Sequence, residues 1–304
     1  MYKKLAYSVI FVGVVGAAAA IGCGGSPNNP VYDFSTKGGG DGATSTDMSV
    51  LKMYAAATPN EIDTNTIGGS FGSGTAVKLT GLIVTSPISG FAAMSKMDCV
   101  FEVFAQDPTC TTPPCGILLE SNKITNPGGT GAFCDYSGAA MTTLKGIKMG
   151  DKVDVSGVVD TFSSTGMAND MTPSGTVVQH SVDVDSFTVD ASDQTLPAAT
   201  VVVDTNPSLF VAYSGSGWAT YEAMIIQLKP ASGTFTTTLD SFGGWTCAPG
   251  GAHYADTFTS FFRPDGSAVN MYPPNGSMFH SISGIVDLTF GGGILPTDPS
   301  DFQP

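Results

Sequence analysis

From residue 77 onward the chain is a succession of short apolar runs cut by turn-forming residues, and the spacing of the apolar positions is that of strands. Residues 77–84, 100–104 and 116–120 are three such runs. The run 152–160 sets Val153 and Val155 on one side and then continues apolar on both sides through Val158 and Val159, the pattern of a strand passing into a closed barrel. Further runs cover 182–189, 200–203, 209–213, 223–228, 234–239, 258–262 and 279–290, and no stretch carries a convincing helical period. The expected fold class is all-β.

Composition sharpens that picture. Thirty-eight glycines and 19 prolines with only 12% charged residues suit a turn-rich β protein and exclude long helical bundles, while 42% hydrophobic residues suffice for real cores. The 304 residues have room for two ordinary domains. The N-terminus departs from the strand pattern. Lys3 and Lys4 precede an apolar or small stretch over 5–21, then Gly22 and Cys23, which gives the basic and apolar regions of an export signal. That stretch is shorter than the roughly 20 residues a membrane-spanning helix needs. Residues 24–74 are rich in Gly, Ser, Asn, Pro and Thr and cannot bury enough apolar area to offset their ordering entropy, so they read as a tether. Within it, 50–57 is expected to dock on the first domain as a short helix or strand. The predicted division is a signal peptide at 1–22, a flexible tether at 23–71, and β domains at 72–195 and 196–304.

Two resemblances add to this reading. Ala20-Ile21-Gly22-Cys23 resembles the bacterial lipobox, although that family favours Leu where Ala20 stands. The resemblance implies a mature chain beginning at a lipidated Cys23. Gly24 rather than Asp after the cysteine implies sorting to the outer membrane of a Gram-negative cell. Several acyl chains, at about 0.8 kcal/mol per buried CH₂, would hold the protein on a bilayer. Further along, the runs at 77–85, 104–108 and 116–119 and Met149-Gly150-Asp151-Lys152-Val153-Asp154-Val155-Ser156-Gly157-Val158-Val159 resemble the OB-fold-like domain of bacterial surface lipoproteins. A similar domain precedes the catalytic domain of some large extracellular nucleases. Residues 221–226, 279–287, 294–297 and 301–302 resemble the second half of that region, which implies tandem OB-like barrels; no catalytic domain is expected within this chain. The motifs carry a fold and no mechanism. A short echo agrees with duplication: Ser156-Gly157-Val158-Val159-Asp160 returns as Ser283-Gly284-Ile285-Val286-Asp287.

Chemistry-bearing residues are few. Besides Cys23, Cys99, Cys110, Cys115 and Cys134 fall within 36 residues, and an exported chain favours disulfides over metal thiolates. Three pairings are possible; the expected ones are Cys110–Cys115, closing a Thr-Thr-Pro-Pro loop, and Cys99–Cys134. Cys247 is either buried and free or an unexpected partner in the second domain. His180, His253 and His280 show no metal-ligand spacing, and His280 is expected to play a hydrogen-bonded structural part in a strand. Asp183 and Asp185 alternate with valines on a strand, a solvated face rather than a calcium loop. No Gly-x-Ser-x-Gly elbow or phosphate loop is present, and Ser49-Val50-Leu51-Lys52 lacks companion motifs. The expectation is therefore no catalytic residue, no metal and no cofactor. Trp218, Tyr221, Trp245, Tyr254 and Tyr272 lie in or beside Gly-rich turns, where packing that closes a barrel mouth is the favoured reading and a stacking platform for a ligand the weaker one.

Charge then separates the partner classes. Twelve basic against 26 acidic residues give a formal −14. After Lys152 only Lys229 and Arg263 are basic, against 15 acidic residues, a formal −13 for that stretch. A phosphate backbone needs cations to displace its counterions, so nucleic acid is disfavoured. The expected function is a non-catalytic, lipid-anchored envelope protein that binds or scaffolds a glycan or another envelope protein and touches the membrane through Cys23. The alternative is a nucleic-acid-binding accessory related to the nucleases.

Overall fold

The computed structural model describes residues 53–65, 71–92, 98–121, 124–125, 144, 146–163, 178–206, 209–210, 217–239, 245–248, 252–254, 275–288 and 292–304. The leader, Cys23, Cys134 and Tyr272 lie outside them, so the Cys99–Cys134 pairing does too. Residues 49–304 form one compact unit that contains two β-sheets. The fold is all-β, as the run spacing predicts.

The first sheet contains β1 (Ala55–Ala56), β2 (Ala76–Val84), β3 (Ser89–Ala92), β4 (Asp98–Gln106), β5 (Gly116–Glu120), β6 (Ile124–Thr125), β7 (Lys152–Ser163) and β8 (Val178–Ala191), with one short helix, α1 (Pro59–Asn65), after β1. Five strands close on themselves: β2 pairs with β7, β7 with β8, β8 with β5, β5 with β4, and β4 returns to β2. Numbered within the ring in chain order, this is the order 1-4-5-3-2-1, with the third and fifth strands parallel and the other contacts antiparallel, the Greek-key closure of an OB barrel. Val77, Leu79, Leu82, Val84, Phe101, Val103, Ile117, Leu119, Val153, Val155, Val159, Val182 and Val184 fill its interior. Closure needs curvature, and bulges supply it. Gly81, at φ 70°, sits where β2 slips against β7 between Leu79 and Leu82, and Asp185 and Asp190 are the extra residues where β8 slips against β7. Asp185 is exposed and accepts a hydrogen bond from the Tyr54 hydroxyl (3.1 Å).

The second sheet contains β9 (Thr200–Asp204), β10 (Ile225–Pro230), β11 (Phe235–Leu239), β12 (Trp245–Ala248), β13 (Ala252–Tyr254), β14 (Met278–Phe279), β15 (Ser281–Asp287), β16 (Gly293–Leu295) and β17 (Phe302–Gln303). Its order repeats the key relations of the first. β10 pairs antiparallel with β15 as β2 does with β7, β15 antiparallel with β16 as β7 does with β8, and β13 parallel with β16 as β5 does with β8. The sequence echo falls on equivalent strands: Gly157 lies opposite Val77 of β2, and Gly284 opposite Ile226 of β10.

Both glycines are required by space. A Cβ on Gly157 would run into the Asp183 carbonyl and the Val182 side chain, and one on Gly284 would stand 2.6 Å from the Leu295 carbonyl oxygen. The neighbouring strands cannot retreat without breaking their ladders. Gly157→Ala and Gly284→Ala should therefore each lower the unfolding free energy by about 1–3 kcal/mol through overpacking. Urea unfolding curves check this, and an unchanged midpoint for either variant would refute the close approach at that strand.

Candidate functional site

The site begins with α1, whose start is written in four residues. Thr58 caps the helix and Pro59 opens it. The Thr58 hydroxyl accepts the Glu61 amide (3.3 Å), and the Glu61 carboxylate accepts the Thr58 amide (2.9 Å), a reciprocal capping box. The helix then drives Ile62, wholly buried, into the first barrel's core and sets Asp63 beside it. Asn60 donates to the Thr112 carbonyl (3.1 Å), tying α1 to the loop between β4 and β5. Residues 23–71 are thus not tether throughout. β1 docks in parallel on β2, as expected for 50–57, and the ordered segment continues through α1, which the strand-dominated reading did not anticipate.

Asp63 meets two residues from distant parts of the chain. His180 comes from the start of β8, and Glu222 ends the 3-10 turn Trp218–Tyr221 that leads into β10. The His180 Nδ1 lies 2.8 Å from Glu222 Oε2 and 3.3 Å from Asp63 Oδ1. Glu222 Oε1 accepts from Gln179 Nε2 (2.7 Å) and from the His180 backbone amide, and Gln179 Oε1 in turn accepts the Leu288 amide (2.9 Å). One Glu222 oxygen is therefore fixed by β8, and the other is presented to His180 and Asp63. The Glu222 side chain is only 2% exposed, His180 10% and Asp63 24%. Burial, then the Glu222 charge and a hydrogen bond with it, push the Asp63 carboxyl up to about 7, while His180 pulls the other way. One ligand atom from each of the three residues lies within 4.8 Å of the others, so the group has the donors for a divalent metal.

A second feature surrounds this cluster. On β4 and β5, Val103, Ala105, Ile117 and Leu119 point into the barrel, whereas the alternate residues Phe104 and Leu118 point out and pack on Ala223, Ile285 and Leu295 beside and within the second sheet. Gly116 makes this approach possible, because a Cβ there would collide with the Ala223 backbone. Ala223 holds a left-handed φ of 55°, which costs a non-glycine residue about 1 kcal/mol or more and turns the chain from Glu222 into the second sheet. The Gln106 side chain accepts the Ile225 amide (3.2 Å) across the same boundary.

The Cys110–Cys115 disulfide forms as expected (S–S 2.05 Å), and Cys115 is buried against the second sheet's core. Trp218 does not offer a stacking face: it is fully buried, edge-on to Phe210 at a centroid distance of 4.9 Å and backed by Gly292. Tyr221 stacks on Phe210 at 6.4 Å and packs against the same core. Trp245 and Tyr254 stand opposite each other on β12 and β13, with Cys247 two residues along from Trp245. His280 lies exposed at the bend between β14 and β15, its amide bonded to the Gln303 carbonyl (2.7 Å). The expectation of no metal-ligand set came from spacing, and spacing carries no trace of Asp63, His180 and Glu222, which only the tertiary fold assembles. The capping box was the one local signal available.

No protein-family model matches the chain, and no curated protein matches it. Among solved structures it is similar to the crystal structure of a small single-stranded DNA-binding protein from Streptomyces coelicolor, at 10% identity and a TM-score of 0.23, over 38% of this chain and 94% of that one. A likeness of that size carries no functional argument; the OB arrangement stands on strand order.

The Asp63 proton has a measurable consequence. The folded chain keeps it to about pH 7, whereas an unfolded aspartate releases it near 3.8. The folded state then binds more protons between these values, so stability falls as pH rises through that window, by at most about 1.4 kcal/mol per pH unit, and levels off above it. With chelator present, Asp63→Asn should flatten the urea midpoint against pH over this range relative to the parent protein. Parallel profiles for the two proteins would contradict the assignment.

Proposed function

We propose that the chain is a non-catalytic, lipid-anchored protein of the Gram-negative outer membrane that binds or scaffolds another envelope component, a protein or a glycan. The observation that carries this reading is the covered face of the first barrel. OB barrels take oligonucleotides and oligosaccharides across their second and third strands. Here those strands are β4 and β5, and their outward residues Phe104 and Leu118 are spent on the second sheet. The face that would have held an oligonucleotide or an oligosaccharide serves as a structural surface instead, so a partner of either class engages the chain elsewhere.

Charge supports the same conclusion. The lysines of the described residues are Lys78, Lys148, Lys152 and Lys229, and Lys78 is already beside Asp154 at 3.6 Å. Such a surface has little with which to neutralise a phosphate backbone. The alternative, an accessory related to extracellular nucleases, rests on fold resemblance alone and has both the covered face and the charge against it. If the partner is a glycan, Trp218 is not its stacking residue, since it is buried. The anchor is Cys23, with the lipobox-like run before it as support.

Two experiments test this reading. Cys23→Ser should move the protein from the membrane fraction to the soluble fraction of the cell; unchanged fractionation would remove the lipid anchor from the proposal. In titrations with single-stranded DNA at low and high salt, the parent protein should show no sub-micromolar, salt-sensitive binding, and such binding would overturn the ranking in favour of the nucleic-acid accessory.

A further inference from the structure

We infer that Asp63, His180 and Glu222 form a zinc site that clips α1 to both sheets. Each ligand comes from a different part of the molecule: the helix at the entry to the folded unit, the last strand of the first barrel and the turn that leads into β10. Together they supply one imidazole nitrogen and two carboxylate oxygens, a set suited to zinc, with water as a fourth ligand from the exposed side of Asp63.

The geometry fits the ion. Tetrahedral zinc with bonds of about 2.0–2.2 Å needs ligand atoms separated by about 3.4 Å. The His180 Nδ1 stands 2.8 Å and 3.3 Å from the two carboxylates and all three ligand atoms lie within 4.8 Å of one another, so side-chain movements bring them to that spacing. The outer partners are those of a built site: Gln179 and the His180 amide hold one Glu222 oxygen, Leu288 holds Gln179, and the other Glu222 oxygen faces the His180 ring nitrogen at 2.8 Å. Charge points the same way. A divalent cation with a neutral imidazole balances two carboxylates that are largely out of water. Calcium is a poor match, since it takes six to eight oxygens and no imidazole.

The test uses the full-length protein in detergent, stripped of metal by chelator and titrated calorimetrically with Zn²⁺. One zinc should bind per chain, raise the thermal midpoint and slow hydrogen exchange in Pro59–Asn65. Co²⁺ in its place should give the intense visible absorption of a tetrahedral site. Asp63→Asn, on a short helix at the edge of the barrel, should keep the folded circular dichroism spectrum while weakening zinc at least about tenfold and abolishing the cobalt band. His253→Gln and His280→Gln should leave both unchanged. The proposal is overturned if no saturable binding occurs near one equivalent, if binding survives Asp63→Asn and His180→Gln undiminished, or if it is lost instead with His253 or His280.

Discussion

The contact between the outer face of β4 and β5 and the second sheet sets the terms for everything else in this molecule. Phe104 and Leu118 are apolar on a side of the barrel that an isolated OB domain would leave to solvent or ligand, and each contributes on the order of 2 kcal/mol only if it is covered. Covering them requires backbone to approach backbone at Gly116, against an Ala223 held in a left-handed conformation. That strained turn places Glu222 where β8 and α1 can reach it. The buried polar cluster is therefore a by-product of the apolar seam, positioned by it and lying along it.

Such a cluster is costly to maintain. Two carboxylates and an imidazole lose most of their hydration, and a buried ion pair repays that only when every remaining lone pair is engaged. Glu222 meets the condition: Gln179, the His180 amide and the His180 ring occupy both oxygens. What the arrangement provides is register. An apolar seam tolerates sliding, whereas a carboxylate held by several groups at once fits in one position. The Cys110–Cys115 loop adds to this restraint, because it carries Cys115 into the second core and receives Asn60 from α1.

The sequence displayed the strands and concealed their partners. Alternation in β7 and the continuous apolar run of β5 were both readable, and a continuous run also signals a strand buried on two faces. In β5 the two faces divide cleanly: Ile117 and Leu119 fill the barrel, and Leu118 between them faces the second sheet. The capping box at Thr58 was equally readable, but it sits among polar residues whose composition spoke for a tether, and a helix of seven residues is too short to show a period. His180 and Glu222 are 42 residues apart, in a strand and a turn that no local pattern connects, so their meeting belongs to tertiary structure alone. Trp218 lies in Gly-rich surroundings, yet the indole is buried and packs directly against the glycine at 292, in keeping with the packing reading of these aromatics.

The place of α1 gives the seam a functional direction. Any chain leading from Cys23 enters the folded unit through β1 and α1, and α1 touches the first core through Ile62, the disulfide loop through Asn60 and the polar cluster through Asp63. β1 and Ile62 join this entry segment to the first barrel, and Asp63 joins it to the turn that leads into the second sheet. An OB barrel that kept its ligand face open would have no such seam, and in this chain the same residues cannot serve both ends.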